Sequence, residues 1–277
     1  MHVKIQTYIP HLALQEFIAC MFIAENRSEG GEENVFSPFP PNPQNSIIFY
    51  IRDAPLIHRG HIERATSIPP CIFVAQHTER INSKMGKDHL MVYVGFKPGG
   101  LYRLLGIPMN KLINEPTDGK DLYGNEISLI LEQLNEATSW TGIIKVVEEF
   151  LLSKLKGLRP MEPFDQAIEQ LVREHGNMSM DYIAGLSCLS FRQFERKCKD
   201  KIGVPPKLYA RIARFSKAYR MKEINSSLSW TNLAHSSGYF DQMHLIRDFK
   251  EFTGVTPTMM DHVLKHTIHK MQTDLVI

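Results

Sequence analysis

The chain of 277 residues has little cysteine, two tryptophans and no long hydrophobic run. Its longest unbroken apolar stretch, Phe17–Ala24, has eight residues, against the roughly 20 that a membrane-spanning helix needs. The N-terminus lacks the basic start and apolar core of a signal peptide. The four cysteines (Cys20, Cys71, Cys188, Cys198) are widely spread and form no C-x-x-C pair. That excludes a disulfide scaffold and a thiolate zinc site, and points to a reducing cytosol. There is no Gly-x-Ser-x-Gly, no phosphate-binding loop, no dinucleotide fingerprint and no thiolate cluster near the N-terminus. No catalytic residue and no cofactor is therefore assigned. What remains is 43% hydrophobic and 22% charged, the composition of a soluble globular protein long enough for two ordinary domains.

Net charge is only +2, but it is unevenly placed. Ser190–Lys222 holds eleven Lys and Arg against Glu195 and Asp200, a local sum of +9. Phe191, Phe194, Tyr209, Phe215 and Tyr219 interleave with these cations. Charge runs are usually solvated faces, yet such faces normally mix signs. A single-sign block laced with aromatics suits a folded surface that meets phosphate.

Residues 1–96 read as mainly β, with β-rich runs at Ser46–Ile51, Cys71–Gln76 and His89–Phe96 separated by proline-rich turns. Leu101, Leu104 and Leu105 predict a short helix stopped near Gly106 and Pro108. Ile127, Ile130, Leu131 and Leu134 share one helical stripe. Thr141 is the expected cap of a second helix carrying Ile144, Val147, Phe150, Leu151 and Leu155. Gly157 and Pro160 mark a linker near 156–162. The expected organisation is α+β with two domains: a β-rich domain with following helices over 1–157, then an all-α domain over 162–265.

The all-α part contains an approximate duplication. Ser190-Phe-Arg-Gln-Phe-Glu-Arg-Lys-Cys-Lys matches Asp241-Gln-Met-His-Leu-Ile-Arg-Asp-Phe-Lys at an offset of 51, and Gly203, Val204 and Pro206 match Gly254, Val255 and Pro257. Upstream the offset is 50, pairing Ile183-Ala184 with Leu233-Ala234. The one-residue difference falls in a turn. Each copy is a short helix capped by Ser179 or Ser229, a tight turn, and a second helix capped by Ser190 or Asp241, with Ser190 and Gln193 forming a capping box. The small alanine lets the two helices cross closely. This is the pattern of a helix-turn-helix.

At 100° per residue, burying Phe194 places Phe191 and Cys198 on the same side and Arg192, Arg196 and Lys199 opposite. In the second copy Leu245 and Phe249 are inward while Met243, Arg247 and Lys250 point out. Arginine can read the guanine edge and lysine can neutralise phosphate. Between the copies Pro205-Pro206 opens a long helix, with Leu208, Ile212, Phe215 and Tyr219 buried. Arg211, Arg214, Lys217 and Arg220 are expected on its other face. Glu223–His262 sums to −3, so the first unit and the spacer helix are expected to supply most phosphate affinity.

These motifs resemble the AraC family of bacterial transcription regulators. The resemblance covers 164–262 and rests on Ile183-Ala184, Ser190-x-x-x-Phe194-x-Arg196, Gly203-x-x-Pro206, Arg211-Ile-Ala-Arg214-Phe215-x-x-Ala218, Leu233-Ala234-x-x-x-Gly238-Tyr239, Phe249-Lys250 and Gly254-Val255-Thr256-Pro257. It implies seven helices with two helix-turn-helix units. Base-reading positions would fall on Arg192, Glu195 and Arg196, then on Gln242, Met243, Ile246 and Arg247; with Lys199 and Lys250 these are the expected DNA-binding residues. Cys188 departs from the glycine common in the first turn, and Cys198 from an aromatic. Gly95-Phe-Lys-Pro-Gly-Gly100 followed by Leu104-Leu-Gly-Ile-Pro108 is similar to a cupin-like sensor domain found in some such regulators, which implies a fold and not a ligand.

Other constellations are weaker. His58, His61, Glu63, His77 and His89 lack the His-x-His pair usual in cupin metal sites, so no metal is expected. Cys20 and Cys71 lie in apolar runs and read as buried rather than redox-active. Phe22, Phe36, Phe49, Tyr50, Phe73, Tyr93 and Phe96 fit either a ligand cavity or plain core. The expected protein is a cytoplasmic, nucleoid-associated transcription regulator, not an enzyme. Its partners would be double-stranded promoter DNA, with a small-molecule effector, a homodimer partner and, for an activator, RNA polymerase as further candidates; no membrane is involved. The competing reading is an enzyme or ligand-binding protein built on the β-rich domain, the helical part being accessory; a third has that domain only recruiting partners.

Overall fold

Alternating burial along the strands determines how the N-terminal half is built. The computed structural model describes residues 3–27, 36–59 and 65–266. One antiparallel sheet has six strands in the order β1 (Lys4–Tyr8), β2 (Ile18–Arg27), β9 (Asp88–Phe96), β4 (Ser46–Tyr50), β7 (Cys71–Val74), β10 (Thr117–Asp118). A second, of four, runs β3 (Ser37–Phe39), β8 (Ile81–Lys84), β5 (Leu56–Arg59), β6 (Thr66–Ser67). The β-rich runs expected from sequence are β4, β7 and β9. The long apolar run at 17–24 turns out to be most of β2, paired with β9 from Ile18↔Phe96 to Arg27↔Asp88.

Because side chains alternate across a sheet, the six-stranded sheet has two apolar faces. Ile47, Phe49, Phe73, Val92, Val94 and Phe96 pack on one side against the helices α1 (Gly100–Leu105), α2 (Gly119–Tyr123), α3 (Asn125–Glu136) and α4 (Trp140–Ser153). Ser139, not Thr141, caps α4 by accepting from the Gly142 amide. On the other side Phe22, Ile48, Tyr50, Ile72, Val74 and Tyr93 face a cavity of about 140 Å³ closed by residues of the second sheet. The aromatic set thus divides by strand parity. Phe22, Tyr50 and Tyr93 line the cavity; Phe49, Phe73 and Phe96 are core; Phe36, 38% exposed, belongs to neither set.

Polar groups in the cavity wall are tied to the backbone or to one another. His77 Nε2 bonds the Pro40 carbonyl at 3.3 Å and His89 Nδ1 the Asp53 carbonyl at 2.7 Å. Tyr93 donates to Gln44 Oε1 at 3.1 Å. Arg59 pairs with Glu115, and its Nε has no partner among the described residues. No group of three metal-binding side chains occurs among the described residues, and His61 and Glu63 lie outside them. Cys20 and Cys71 are buried, and desolvation raises the Cys71 thiol.

The C-terminal domain has seven helices among the described residues: α5 (Pro163–Arg173), α6 (Met180–Leu186), α7 (Phe191–Lys201), α8 (Pro206–Ile224), α9 (Trp230–Ser237), α10 (Gln242–Thr253) and α11 (Pro257–His266). Two apolar clusters fill it. Phe164, Ile168, Ile183, Phe194, Cys198 and Tyr209 belong to one, and Phe215, Tyr219, Leu233, Leu245, Phe249 and Phe252 to the other. The α6–α7 turn places Cys188 in the left-handed region at φ 56°, where the α9–α10 turn has Gly238 at φ 82°. No helix is long and apolar enough to cross a membrane among the described residues.

Both the Cys188 turn and the His77 environment make stability measurable site by site. A left-handed backbone costs an L-residue about 1–2 kcal/mol, partly offset by the extra entropy that glycine loses. Cys188→Gly should therefore raise stability by about 0.5–1 kcal/mol in urea denaturation. Burial lowers the His77 imidazole from 6.5 to about 4, against the raising effect of the Pro40 carbonyl. In that window the unfolded chain binds the extra proton, so stability should fall as pH drops from 6.5 toward 4 and level off below it. The group contributes on the order of 3 kcal/mol over the window. Denaturation midpoints at stepped pH should show a shallower decline for His77→Gln; burial also lowers the His89 pKa, so some slope stays.

Candidate nucleic-acid interface

The first recognition helix is built from its cap upward. Ser190 Oγ accepts from the Gln193 amide and Gln193 Oε1 accepts from the Ser190 amide, closing the expected capping box. Such a cap stabilises a helix by about 1 kcal/mol. It fixes where α7 starts and hence which residues face in. Phe194 and Cys198 are fully buried, and desolvation raises the Cys198 thiol pKa. With that face fixed, Arg192, Arg196 and Lys199 are exposed and Glu195 is half-buried beside them. Lys199 pairs with Glu195 at 3.3 Å. Arg192 and Arg196 make no hydrogen bond or ion pair among the described residues.

The second unit repeats the design. Ser229 caps α9 through the Asn232 amide and Asp241 caps α10 through the His244 amide. Leu245 and Phe249 are fully buried. Gln242, Met243, Arg247 and Lys250 are exposed and Ile246 is half-buried. Gln242 is partly engaged, accepting from Thr231 Oγ1 at 3.1 Å. The structure therefore brings the expected DNA-binding residues together in two sets, one on each recognition helix.

The spacer helix α8 departs from expectation. It is buried around most of its circumference, because both helix-turn-helix cores and the β-rich domain pack on it. Its arginines do not form a free phosphate-facing row. Arg211 bonds Asp248 at 2.7 Å and Glu251 at 2.5 Å, which holds the guanidinium firmly charged. Arg214 donates to Asn177 Oδ1 at 2.9 Å and to the Gly176 carbonyl at 2.8 Å. Arg220 is half-buried, and burial lowers its pKa. Elsewhere in the basic block Lys197 pairs with Glu162, Lys201 is buried against Asp165 at 3.0 Å, and Lys222 pairs with Asp261 at 3.0 Å. Five of the eleven cations (Lys197, Lys201, Arg211, Arg214, Lys222) thus hold the domain together. Arg211 and Lys222 also pair with three of the acids that make the second unit negative by count, and so offset two of those charges.

The remaining contacts set the geometry of the pair. Gly176, at φ +74°, packs so closely that a Cβ there would lie 2.1 Å from the Ala210 carbonyl oxygen. The next residue, Asn177, receives Arg214 and donates to the Ser237 carbonyl at 3.3 Å. Arg214 also stacks over Tyr239 at 5.4 Å. The loop of the first unit is thereby bonded to the turn of the second. Sequence spacing gave no sign of this clamp, because its partners lie 37 and 60 residues apart.

The β-rich domain reaches the same helix. The Tyr209 hydroxyl, buried at the start of α8, donates to the Pro43 carbonyl at 2.7 Å. Pro43 sits between Asn42 and Gln44, which both line the cavity. Ile113 packs against the first C-terminal core while its neighbour Asn114 lines the cavity. One chain thickness therefore separates the cavity from the helix that positions both recognition helices.

A helix-turn-helix domain family matches residues 183–261, and a domain of unknown function (DUF6597) matches residues 6–118. No curated protein sequence matches. Among solved structures, ToxT from Vibrio cholerae O395 is 12% identical over 95% of this chain and 98% of its own, at a TM-score of 0.46. The unsaturated-fatty-acid-bound ToxT of V. cholerae strain SCE256 is 13% identical over 97% and 98%, at 0.46. The AraC-like transcriptional activator CuxR is 10% identical over 95% and 84%, at 0.21. With two capped helix pairs, matching cores and a family match across both, the C-terminal domain is a helix-turn-helix domain, a DNA-binding fold.

Proposed function

We propose that the chain is a DNA-binding transcription regulator of the AraC type, whose α7 and α10 enter successive major grooves on one face of promoter DNA, about one helical turn apart. Arg192 and Arg196 read base edges, with Glu195 at the same surface, and Lys199 meets phosphate. Gln242, Met243, Ile246 and Arg247 read the second groove, and Lys250 anchors it. The observation that carries this reading is the pair of guanidinium groups, Arg192 and Arg196, unpartnered among the described residues and held outward by the burial of Phe194 and Cys198. The cavity is proposed to take a small, largely apolar effector within a bacterial cytoplasm. Its walls supply mostly hydrocarbon and aromatic surface, with few polar groups left unpaired. An effector acts only through unequal binding to two conformations, and Asn42-Pro43-Gln44 is the proposed connection to Tyr209.

The first unit still exposes three cations, Arg192, Arg196 and Lys199, against Arg247 and Lys250 in the second. Arg196→Ala is therefore expected to weaken binding to a selected duplex about tenfold and to relax specificity at the base pair it reads. Arg247→Ala should cost less at the same salt. Equal losses in an anisotropy titration would reject the ranking. For the cavity, a metabolite panel should raise the thermal midpoint of the full chain, and Ile72→Trp, which fills the space, should abolish the shift.

A further inference from the structure

The two units differ by one residue, and the structure identifies it. The Leu189 amide bonds the Ala184 carbonyl at 3.1 Å, and the Tyr239 amide bonds the Ala234 carbonyl at 2.9 Å. Leu189 and Tyr239 are therefore equivalent. The caps that follow, Ser190 and Asp241, are also equivalent. Phe240 lies between Tyr239 and Asp241 and has no counterpart in the first unit. Leu189 and Tyr239 both anchor their turns to the domain interior. Leu189 packs on its core, and Tyr239 is buried with its hydroxyl on Asp248 at 3.1 Å. Phe240 has no such anchoring role. It is 90% exposed, and its one ring contact among the described residues is edge-on to His244 at 6.2 Å.

Its position is fixed although its ring is free. Tyr239 anchors it on one side and the Asp241 cap on the other, so the phenyl group stands at the N-terminal end of α10. That end is the part of a recognition helix that meets base edges. Met243, 57% exposed, extends the apolar surface toward Arg247.

We propose that Phe240 is a specificity-determining residue of the second unit that contacts thymine C5-methyl groups in the major groove. The proposal rests on the DNA-binding reading above. A phenyl ring has no donor or acceptor, and the thymine methyl is the apolar feature of the major groove. Wedging between base steps belongs to minor-groove binders, and a helix-turn-helix presents its second helix to the major groove. The first unit then reads with guanidinium groups and the second largely by methyl contact, which gives the less cationic unit a source of selectivity that charge does not supply.

The test uses the full-length protein and a duplex that it enriches from a random-sequence library. Phe240→Ala should weaken binding about fivefold or more, the scale of one good base contact, with an unchanged thermal midpoint, and Phe240→Leu should keep most of the affinity. Replacing thymines one at a time with deoxyuridine in the second half-site should weaken the wild type at one or two positions and leave Phe240→Ala indifferent there. Affinity of Phe240→Ala within twofold of wild type overturns the proposal. So does equal deoxyuridine sensitivity in both proteins. If the wild type enriches no duplex, the DNA-binding reading itself fails. A duplex whose binding is weakened by Arg196→Ala but not by Phe240→Ala confines the failure to Phe240.

Discussion

Helix α8 is the constraint on which the rest depends. It has to satisfy three neighbours at once: the core around Phe194, the core around Phe249, and the β-rich domain at Pro43. A helix buried on several faces has little freedom to rotate, since rotation would expose Ile212, Phe215 or Tyr219, each worth about 1.5–3 kcal/mol of burial. Its residues are accordingly committed to packing. Arginines on α8 that charge patterning assigns to phosphate instead close ion pairs with Asp248 and Glu251 or hold the Asn177 loop. The proposed DNA contacts are left to α7 and α10. Their relative placement is set by hydrogen bonds and close packing at Gly176, Asn177 and Arg214 rather than by a flexible linker.

The same helix offers the proposed effector cavity a route to the proposed DNA-binding surface. Residues on the chain segment 42–44 alternate between the cavity and the helical domain, and 113–114 do the same. A side chain displaced on one side moves its neighbour on the other, because the backbone between them is one layer thick and buried. A hydrogen bond such as Tyr209–Pro43 contributes only about 1 kcal/mol net, yet leaving that carbonyl buried and unpaired costs more. That difference is the kind of preference a ligand needs in order to bias two packings of the same domains.

How much was legible in the sequence follows from the range of each signal. Ser190 with Gln193, the caps at Ser179, Ser229 and Asp241, and the inward face of Phe194 and Cys198 are local, and all are present as read. The duplication at offsets of 50 and 51 located both helix pairs. The change of offset placed one extra residue in a turn, but only the equivalent hydrogen bonds of Leu189 and Tyr239 show that it is Phe240, and only the structure shows it exposed. The strand β2 was hidden because an apolar run buried on both faces has no alternation. Which aromatics line the cavity depends on strand parity, so Tyr50 and Phe49 were indistinguishable until the sheet was known. The fate of Arg211 needed a partner 37 residues away, and no count of charges reveals one. Thr141 was displaced as a cap by Ser139, two residues earlier, since either hydroxyl suits that place.

Two recognition helices, locked on one rigid helix, are proposed to occupy successive grooves on one face of a duplex. Methylation interference on an enriched duplex bound by the full-length protein tests this most directly. Two clusters of guanine N7 or adjacent major-groove contacts, centred about 10–10.5 base pairs apart on the same face, are the predicted result. A single cluster, or interference scattered around the duplex, would contradict it.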